Sequence, residues 1–374
     1  MAAFGRKQPL KSSRFGTVER PLLGKADIKL VLSLRAASDP KRTLVVCKID
    51  ELVCRLLVTN RKVNEMLSRL ALFALFIGLS GADVAYAQSI RVTLLGSGGP
   101  EPHPTQFGAS TLIEAGEEKL IFDAGRGATI RLAQAKVSLT DITVFITHLH
   151  SDHLNGLSDL WTTGYIPPTL RRTPLEIYGP PGIVELAGAL QVAFNADRDI
   201  RSTELGERGI DFSIAAGTFD ATEVGGEGII FDRGGVKVSA ISVDHGASTA
   251  FAYRVEYAGH SVVLSGDTRF SKNLMEKARG ADLIIHEVMA IDEKLLKGSP
   301  MLQAIVTVHT TPEDAGTLFS EVEPKMAVYN HIIRVGASDE SIETATRKTY
   351  SGPLTIGQDL MTFVVDDEVS VINR

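Results

Sequence analysis

Three observations predict an α/β protein. Short β-branched, apolar runs alternate with helical segments from residue 90 to about residue 365. Strand after strand ends in a His or an acid: His148 and His150, His245, Asp267, His286 with Glu287, and His331. Seven of the nine histidines occupy such positions or the segment around His309, which scattered placement would not produce. Strand ends gathered along one sheet edge make a shared site.

Ile90 to Leu95 alternates and runs into Gly96-Ser97-Gly98-Gly99-Pro100, a first strand followed by a tight glycine loop. The spacing fits neither the dinucleotide nor the P-loop pattern and no helical pattern follows, which argues against a nucleotide cradle. His103, between Pro102 and Pro104, reads as a pocket-rim residue rather than a ligand. Ser110 to Glu114 and Lys119 to Phe122 form a hairpin across Gly116-Glu117-Glu118, and Asp123-Ala124-Gly125 ends its second strand. Asp123 reads equally well as a turn residue and as a carboxylate that accepts an imidazole N–H and so fixes the tautomer of a metal ligand. Ala128 to Ala135 is helical. Ile142 to Ile146 is a buried strand that delivers Thr147-His148-Leu149-His150-Ser151-Asp152-His153.

In that motif three imidazoles and a carboxylate lie within six residues. His148 and His150 are two apart and leave the same side of an extended chain. Asp152 and His153 start the next element and can face a second point close by. Imidazole and carboxylate are the ligands zinc takes in hydrolytic sites, and four of them so close together suit two metals sharing one pocket.

Leu157 to Trp161 begins a helix behind the motif, Leu175 to Tyr178 is a strand, and Ile183 to Phe194 is a helix. Residues 195–235, rich in Gly, Asp and Glu and weakly periodic, read as an inserted, substrate-facing excursion with one or two short strands. The loop around Trp161 reads as a second determinant of specificity. Val236 to Val243 delivers Asp244-His245-Gly246. Phe251 to Tyr257 and Ser261 to Leu264 flank Gly259-His260, the latter ending in Ser265-Gly266-Asp267-Thr268. Asp282 to Ile285 ends in His286-Glu287, and Ala304 to Val308 leads to His309. Thr311 is a helix N-cap with Pro312 at the first helical position. Met326 to Tyr329 delivers Asn330-His331. No fixed-period repeat and no low-complexity tract interrupts the chain.

The net charge of −6 hides an asymmetry. Residues 1–65 hold 14 Lys/Arg and 6 Asp/Glu, whereas residues 88–374 hold 24 basic and 38 acidic groups, a net of −14. Between them, Met66-Leu67-Ser68-Arg69, an apolar run from Leu70 to Leu79 and Ala85-Tyr86-Ala87 have the order of a secretory signal peptide. The run is shorter than the ~20 residues needed to cross a bilayer; an uncleaved amphipathic anchor is the rival. The expected organisation is a mis-assigned or disordered extension over 1–65, a signal peptide over 66–87 and one hydrolase domain over 88–374, periplasmic or secreted, with no stable membrane anchor after cleavage. A basic arm or an amphipathic helix from Leu44 to Val58 is the alternative for the front. Both cysteines, Cys47 and Cys54, lie there, so residues 88–374 carry neither a disulfide nor thiolate chemistry.

These motifs resemble the metallo-β-lactamase superfamily, and within it the branch of ribonuclease Z, secreted arylsulfatases and cyclic-nucleotide phosphodiesterases. The resemblance covers nearly all of 90–365. It rests on His148-x-His150-x-Asp152-His153, on Gly266-Asp267-Thr268, and on His286-Glu287, His309-Thr310-Thr311 and His331 in that order. It implies a four-layer αββα sandwich with metals at one sheet edge. It implies that His148, His150 and His245 hold one zinc, that Asp152, His153 and His331 hold another, and that Asp267 bridges them, with Mn2+ as a substitute metal. It places His309 and Glu287 beside the metals, His309 to bind or protonate the departing group and Glu287 to orient it.

The implied activity is an exported dizinc hydrolase that cleaves phosphodiester or aryl sulfate or phosphate esters by a metal-bridging hydroxide, with Asp152, His309 and Glu287 as its catalytic residues. A β-lactamase or lactonase-type hydrolase on the same metals is the alternative, disfavoured because lactamase branches usually lack the bridging Asp. A non-enzymatic, metal-dependent binding protein is the third reading. Ribonuclease Z enzymes usually carry a long basic arm, which one class inserts where this chain has only Ala258-Gly259-His260. With a −14 domain, a poor partner for a polyanion, this favours a small-molecule ester over folded RNA. A homodimer is compatible with the sequence.

Overall fold

The structure is a computed structural model that describes residues 29–31, 46–48, 88–211 and 217–372. It divides into two units, Met1–Ser80 and Gly81–Arg374. In the first, strands β1 (Lys29–Val31) and β2 (Val46–Lys48) pair antiparallel. Val46–Lys48 is therefore extended; the rest of the span from Leu44 to Val58 lies outside the described residues. The expected leader over 66–87 and most of 1–65 lie outside the described residues.

The second unit holds two sheets. One has eight strands, ordered in space as Val369–Ile372 (β17), Thr362–Val365 (β16), Ile90–Gly96 (β3), Ser110–Ala115 (β4), Glu118–Phe122 (β5), Thr143–Phe145 (β6), Leu175–Gly179 (β7) and Phe219–Glu223 (β8). The other has seven: Leu354–Ile356 (β15), Met326–Val335 (β14), Leu283–Ile291 (β13), His260–Leu264 (β12), Ser248–Tyr257 (β11), Val236–His245 (β10) and Gly228–Arg233 (β9). Strands alternate their side chains between two faces, and three apolar clusters follow from that alternation. Ile113, Leu120, Phe145, Tyr253, Val262 and Leu283 pack between the sheets. Leu112, Ile121, Val144 and Ile146 turn to the outside of the first sheet, under Leu132, Leu157, Trp161 and Ile183 from helices. Ile241, Ala252, Val263 and Ile284 turn to the outside of the second sheet, under Leu274, Leu318, Phe319 and Ile342. Helix, sheet, sheet, helix is the αββα sandwich that the motifs imply.

The helices over the first sheet include α1 (Ala128–Ala135), α2 (Ser151–Leu154), α3 (Leu157–Tyr165), α4 (Ile183–Ala193) and α5 (Asn195–Gly206). Those of the second half are α6 (Lys272–Lys277), α7 (Glu293–Gly298), α8 (Pro300–Ile305), α9 (Pro312–Val322) and α10 (Asp339–Thr346). Thr311 caps α9 by accepting the Asp314 N–H, with Pro312 in the first turn, as its sequence predicts.

Parallel pairing puts the site at one edge. Strands β5, β6, β7 and β8 run parallel, as do β12, β13, β14 and β15. Parallel neighbours finish on the same side, so Asp123, the His motif and Asp267 emerge together.

Three sequence expectations change. The expected excursion over 195–235 does hold two short strands, β8 and β9, but each is an edge strand of one of the sheets, and helix α5 precedes them. Trp161 is fully buried in α3 and stacks on Phe219 at 4.7 Å, so it is core and shapes no specificity loop. His286-Glu287 and Asn330-His331 do not end strands. β13 and β14 continue past them to Ile291 and Val335, with a register shift between His286 and Val288.

Candidate metal centre

His148 follows the buried strand β6 and is fully buried, while His150 is exposed at the mouth and caps α2. This short helix turns Asp152 and His153 into the pocket. Asp267 stands one residue after Gly266, whose φ is +56°. A Cβ at Gly266 would lie 2.9 Å from the Thr147 Cβ, so only glycine lets the two loops meet. The two sheets are tied beside the site by the Tyr253 hydroxyl, which donates to the Ile146 carbonyl at 2.7 Å, and by the Phe251 N–H, which donates to the Thr147 carbonyl at 3.0 Å.

Partners that can only accept fix three imidazole tautomers. His153 Nδ1 donates to Asp123 at 2.8 Å. His245 Nδ1 donates to the Val308 carbonyl at 2.8 Å. The Thr147 hydroxyl donates to Asp123 at 2.9 Å, so it accepts from His148 Nδ1 at 3.0 Å. Each of these rings therefore offers a lone pair at Nε2. Asp123, which also accepts the Thr147 N–H at 2.8 Å, is thus the tautomer-fixing carboxylate and not merely a turn residue. Its φ of +60° and that of His331, +43°, are uncommon for side-chain-bearing residues, as held conformations at functional sites often are.

The free atoms converge. His148 Nε2, His153 Nε2, His331 Nδ1 and Asp267 Oδ1 are buried with no hydrogen-bond partner. Leaving such groups unpaired is costly, and a cation shared among them removes the cost. His148, His150 and His245 present nitrogens close enough to hold one metal ion, and Asp152, His153 and His331 to hold another. Asp267 lies between the two groups. Its Oδ2 is 3.9 Å from His148 Nε2 and 3.8 Å from His245 Nε2, while its Oδ1 is 3.4 Å from His153 Nε2 and 3.3 Å from His331 Nδ1. Asp152 Oδ2 is 3.1 Å from His331 Nε2. The donor set, imidazole nitrogens and carboxylate oxygens, fits zinc.

Electrostatics follow the packing. Burial, helped by His153, drives His148 down to about 2, so it is a neutral ligand at physiological pH. Burial also lowers His150 and His245. Against burial, Asp267 and Asp123 raise His153 well above its ordinary value. Burial opposes ionisation of Asp152, but the His331 hydrogen bond and the charges of His153 and His331 bring it down to about 2. Asp267 is held well below the carboxylate range, against its burial, by His331 and His153.

His309 stands beside this group, with a ring nitrogen in reach of His245 and Asp267. Its Nδ1 donates to Glu287 Oε1 at 3.1 Å, and Glu287 more than offsets the burial that would lower its pKa. The same Glu287 oxygen accepts the N–H groups of Thr268 at 3.1 Å and Thr310 at 3.2 Å. It therefore ties the loop after Asp267 to the loop of His309. His286, the strand neighbour of Glu287, points the other way and packs against Phe319 in the helical layer. His103 stays in an exposed loop, its Nδ1 accepting from the Thr105 and Gln106 N–H groups at 3.3 Å.

A family model described as "Beta-lactamase superfamily domain" matches residues 118–332. A ribonuclease Z of Mycolicibacterium paratuberculosis is 33% identical over 282 residues, spanning 74% of this chain and 99% of that protein. The chain belongs to the metallo-β-lactamase superfamily, in its ribonuclease Z branch. A ribonuclease Z of Mycobacterium sp. (strain KMS) is 31% identical, over 72% of this chain and 94% of that protein. Among solved structures, the metallo-β-lactamase fold protein YhfI of Bacillus subtilis shares the fold with a TM-score of 0.58 at 16% identity, covering 74% of this chain and all of that one. The short form of human tRNase Z does so with a TM-score of 0.51 at 24% identity, over 73% of this chain and 98% of that one. This metallo-β-lactamase-superfamily chain is thus a metal-dependent hydrolase. Its ribonuclease Z relatives align almost end to end within it, which leaves no room for a long inserted arm in them. The short Ala258–His260 connection therefore does not set this chain apart from them.

Proposed function

We propose that this protein is a dizinc phosphodiesterase exported from the cytoplasm. One observation carries the reading: the two oxygens of Asp267 face two separate ligand groups, Oδ2 toward His148 and His245, Oδ1 toward His153 and His331. A carboxylate so placed favours two metals held close, the arrangement suited to in-line displacement at a tetrahedral ester. Zinc bound there supplies Lewis acidity and water activated at neutral pH. The chain's own residues do the rest. Asp123 and the Val308 carbonyl keep His153 and His245 in their ligating tautomers. Asp152 and His331 brace one another across the second group. Glu287 orients His309, which holds a proton for the leaving oxygen.

The substrate proposed is a phosphodiester. Likeness to proteins named ribonuclease Z over nearly their whole length supports RNA; the −14 charge of residues 88–374 supports a small diester, since RNA affinity comes largely from cationic contacts to phosphate. The test is a parallel kinetic comparison of the zinc-loaded protein on bis-p-nitrophenyl phosphate, p-nitrophenyl sulfate, nitrocefin and a precursor transfer RNA. Preference for either phosphodiester upholds the proposal, and the ratio between them selects small ester or RNA. Preference for the sulfate ester or for nitrocefin overturns it. The export part rests on the leader pattern at 66–87 and is tested by N-terminal sequencing of the protein from cell fractions. A mature chain that begins near Gln88 in the periplasm or medium supports it; one retaining Val45-Val46-Cys47 defeats it.

A further inference from the structure

We infer that Asp359, far from the His motif in sequence and outside the metal-facing set, is the positioning residue for one of the two metal groups, that of Asp152, His153 and His331. The inference rests on the two-metal reading above.

Asp359 is nearly fully buried, its side chain 4% exposed. Both carboxylate oxygens are saturated. Oδ1 accepts the Ser97 N–H at 2.9 Å and the Ser97 hydroxyl at 2.8 Å. Oδ2 accepts the Phe107 N–H at 2.9 Å and Arg131 through Nε at 3.0 Å and Nη2 at 2.7 Å. Arg131 also donates to the Thr105 carbonyl at 3.1 Å and lies 4.0 Å above the Phe107 ring. One carboxylate thus gathers both ends of the loop between β3 and β4. Its own segment is anchored, with the Leu360 N–H on the Leu94 carbonyl at 2.7 Å and the Gly357 N–H on the Tyr329 carbonyl at 2.9 Å.

That loop touches two ligands of a single metal group. At its start, the Ser97 carbonyl accepts the Ile332 N–H at 3.0 Å, one residue after His331. A Cβ on Gly99 would stand 3.9 Å from His331 Cε1. At its end, a Cβ on Gly108 would stand 3.3 Å from the Asp152 carbonyl. His331 and Asp152 are the pair braced at 3.1 Å. The other group is held differently: His148 by Thr147 and His245 by the Val308 carbonyl, neither of which bonds to Asp359. A change at Asp359 should therefore loosen one metal and spare the other.

Asp359→Asn keeps the volume but places an N–H₂ group where donors converge. Support one step removed from a ligand contributes about 10–100-fold to metal affinity, and the lower end applies here because the effect passes through a loop. The experiment is zinc titration with a competing chelator on the full chain, read as stoichiometry and two dissociation constants, with a thermal melt of the metal-free protein alongside. For Asp359→Asn the expected result is one site unchanged and one weakened about tenfold. Ser97→Ala, which removes only the hydroxyl contact, should move the same site in the same direction by less, and it covers the case in which Asp359→Asn does not fold. Glu118→Gln, at the far end of strand β5, should leave both constants alone. If Asp359→Asn melts lower but binds both zincs like the parent, or weakens both equally, Asp359 is a structural residue only and the inference is overturned. If the parent itself binds a single zinc, it is the two-metal reading that fails.

Discussion

The two ends of the sandwich solve opposite problems with similar residues. At the far end, Arg233 of β9 reaches across to the first sheet. It donates to Glu118 through Nε at 3.0 Å and Nη2 at 2.8 Å, to Glu176 at 3.0 Å and to the Thr143 hydroxyl at 3.0 Å. Tyr178 completes the network with a bond to Glu176 at 2.8 Å. None of these side chains has a buried atom without a partner. At the metal edge, by contrast, His148, His153, Asp267 and His331 each keep a buried atom unpaired. Charges that finish their bonding inside the chain join sheets; charges whose bonding is left open are arranged for something that comes from outside.

The contrast is broken most severely at Asp267. Asp267→Ala removes the carboxylate whose two oxygens face the two ligand groups. Its expected outcome is loss of tight binding at both metal sites and fall of diester hydrolysis to the metal-free background, checked by metal analysis and steady-state rates. His309→Ala comes next. If His309 serves the leaving group and is no ligand, metal content stays at the parent level while kcat falls about 10²–10⁴-fold. The loss should be smaller for p-nitrophenolate esters, which leave without a proton. A fall in metal content would instead make His309 a ligand, consistent with its reach to His245 and Asp267.

A pH series on the metal-free protein sharpens the comparison without substitution. His148, His150, His245 and the core residue His286 are all lowered by burial. Each binds its proton less tightly when folded than when unfolded, where it takes one up below its ordinary value of 6.5. The unfolded state then binds more protons, and stability falls as pH drops from about 6.5. For fully buried His148, whose folded value is about 2, the slope approaches about 1.4 kcal/mol per pH unit. His153 and His309 are raised and act in the opposite sense, contributing stability below 6.5 that fades as pH rises through their folded values. With more histidines lowered than raised, the melting temperature of metal-free protein should decline between pH 7 and 5. Zinc should restore it at pH 7 and progressively less at pH 5, because protons compete for the same nitrogens.

Much of this edge was legible in the sequence because its signals are short-ranged. The His148–His153 spacing and the runs that feed His245 and Asp267 need only local periodicity, and the four layers came with the family resemblance that those motifs carry. What was missed depends on tertiary pairing. β13 and β14 extend past His286 and His331 because each pairs with the other beyond that point, which no local pattern reveals. Trp161, read at the end of a helical run and beside a specificity loop, gave no sign of being core because its partner, Phe219, lies in a segment of weak periodicity. Asp359, between Gln358 and Leu360, carries no signal at all: its partners Ser97, Phe107 and Arg131 lie more than 200 residues away. Asp123 stood balanced between a turn and a ligand-orienting role, and only the 2.8 Å contact to His153 decides it.

Arg233→Ala is the smallest of the expected effects and the control that gives the others meaning. The side chain is half exposed, 49%, and its partners Glu118 and Glu176 are 14% and 27% exposed, so water screens much of the attraction. A network of this exposure contributes about 1 kcal/mol, which in a domain of this size lowers the melting temperature by roughly 2–4 °C. Metal stoichiometry and kcat should not move, since no member of the network bonds to a metal-facing residue. Because Glu176 loses its cation, the loss should grow at neutral pH, where that carboxylate is ionised, and shrink in acid as it takes up a proton. Glu176 titrates late in that series: its burial is outweighed by bonds from Tyr178, Arg233 and Thr143 that lower its pKa. Its contribution is therefore present above the ordinary carboxylate value and is lost as pH falls through the depressed one. A drop in zinc affinity in Arg233→Ala would show that the two ends are mechanically coupled through β5 and β6, and the division between a closed and an open set of charges would no longer hold.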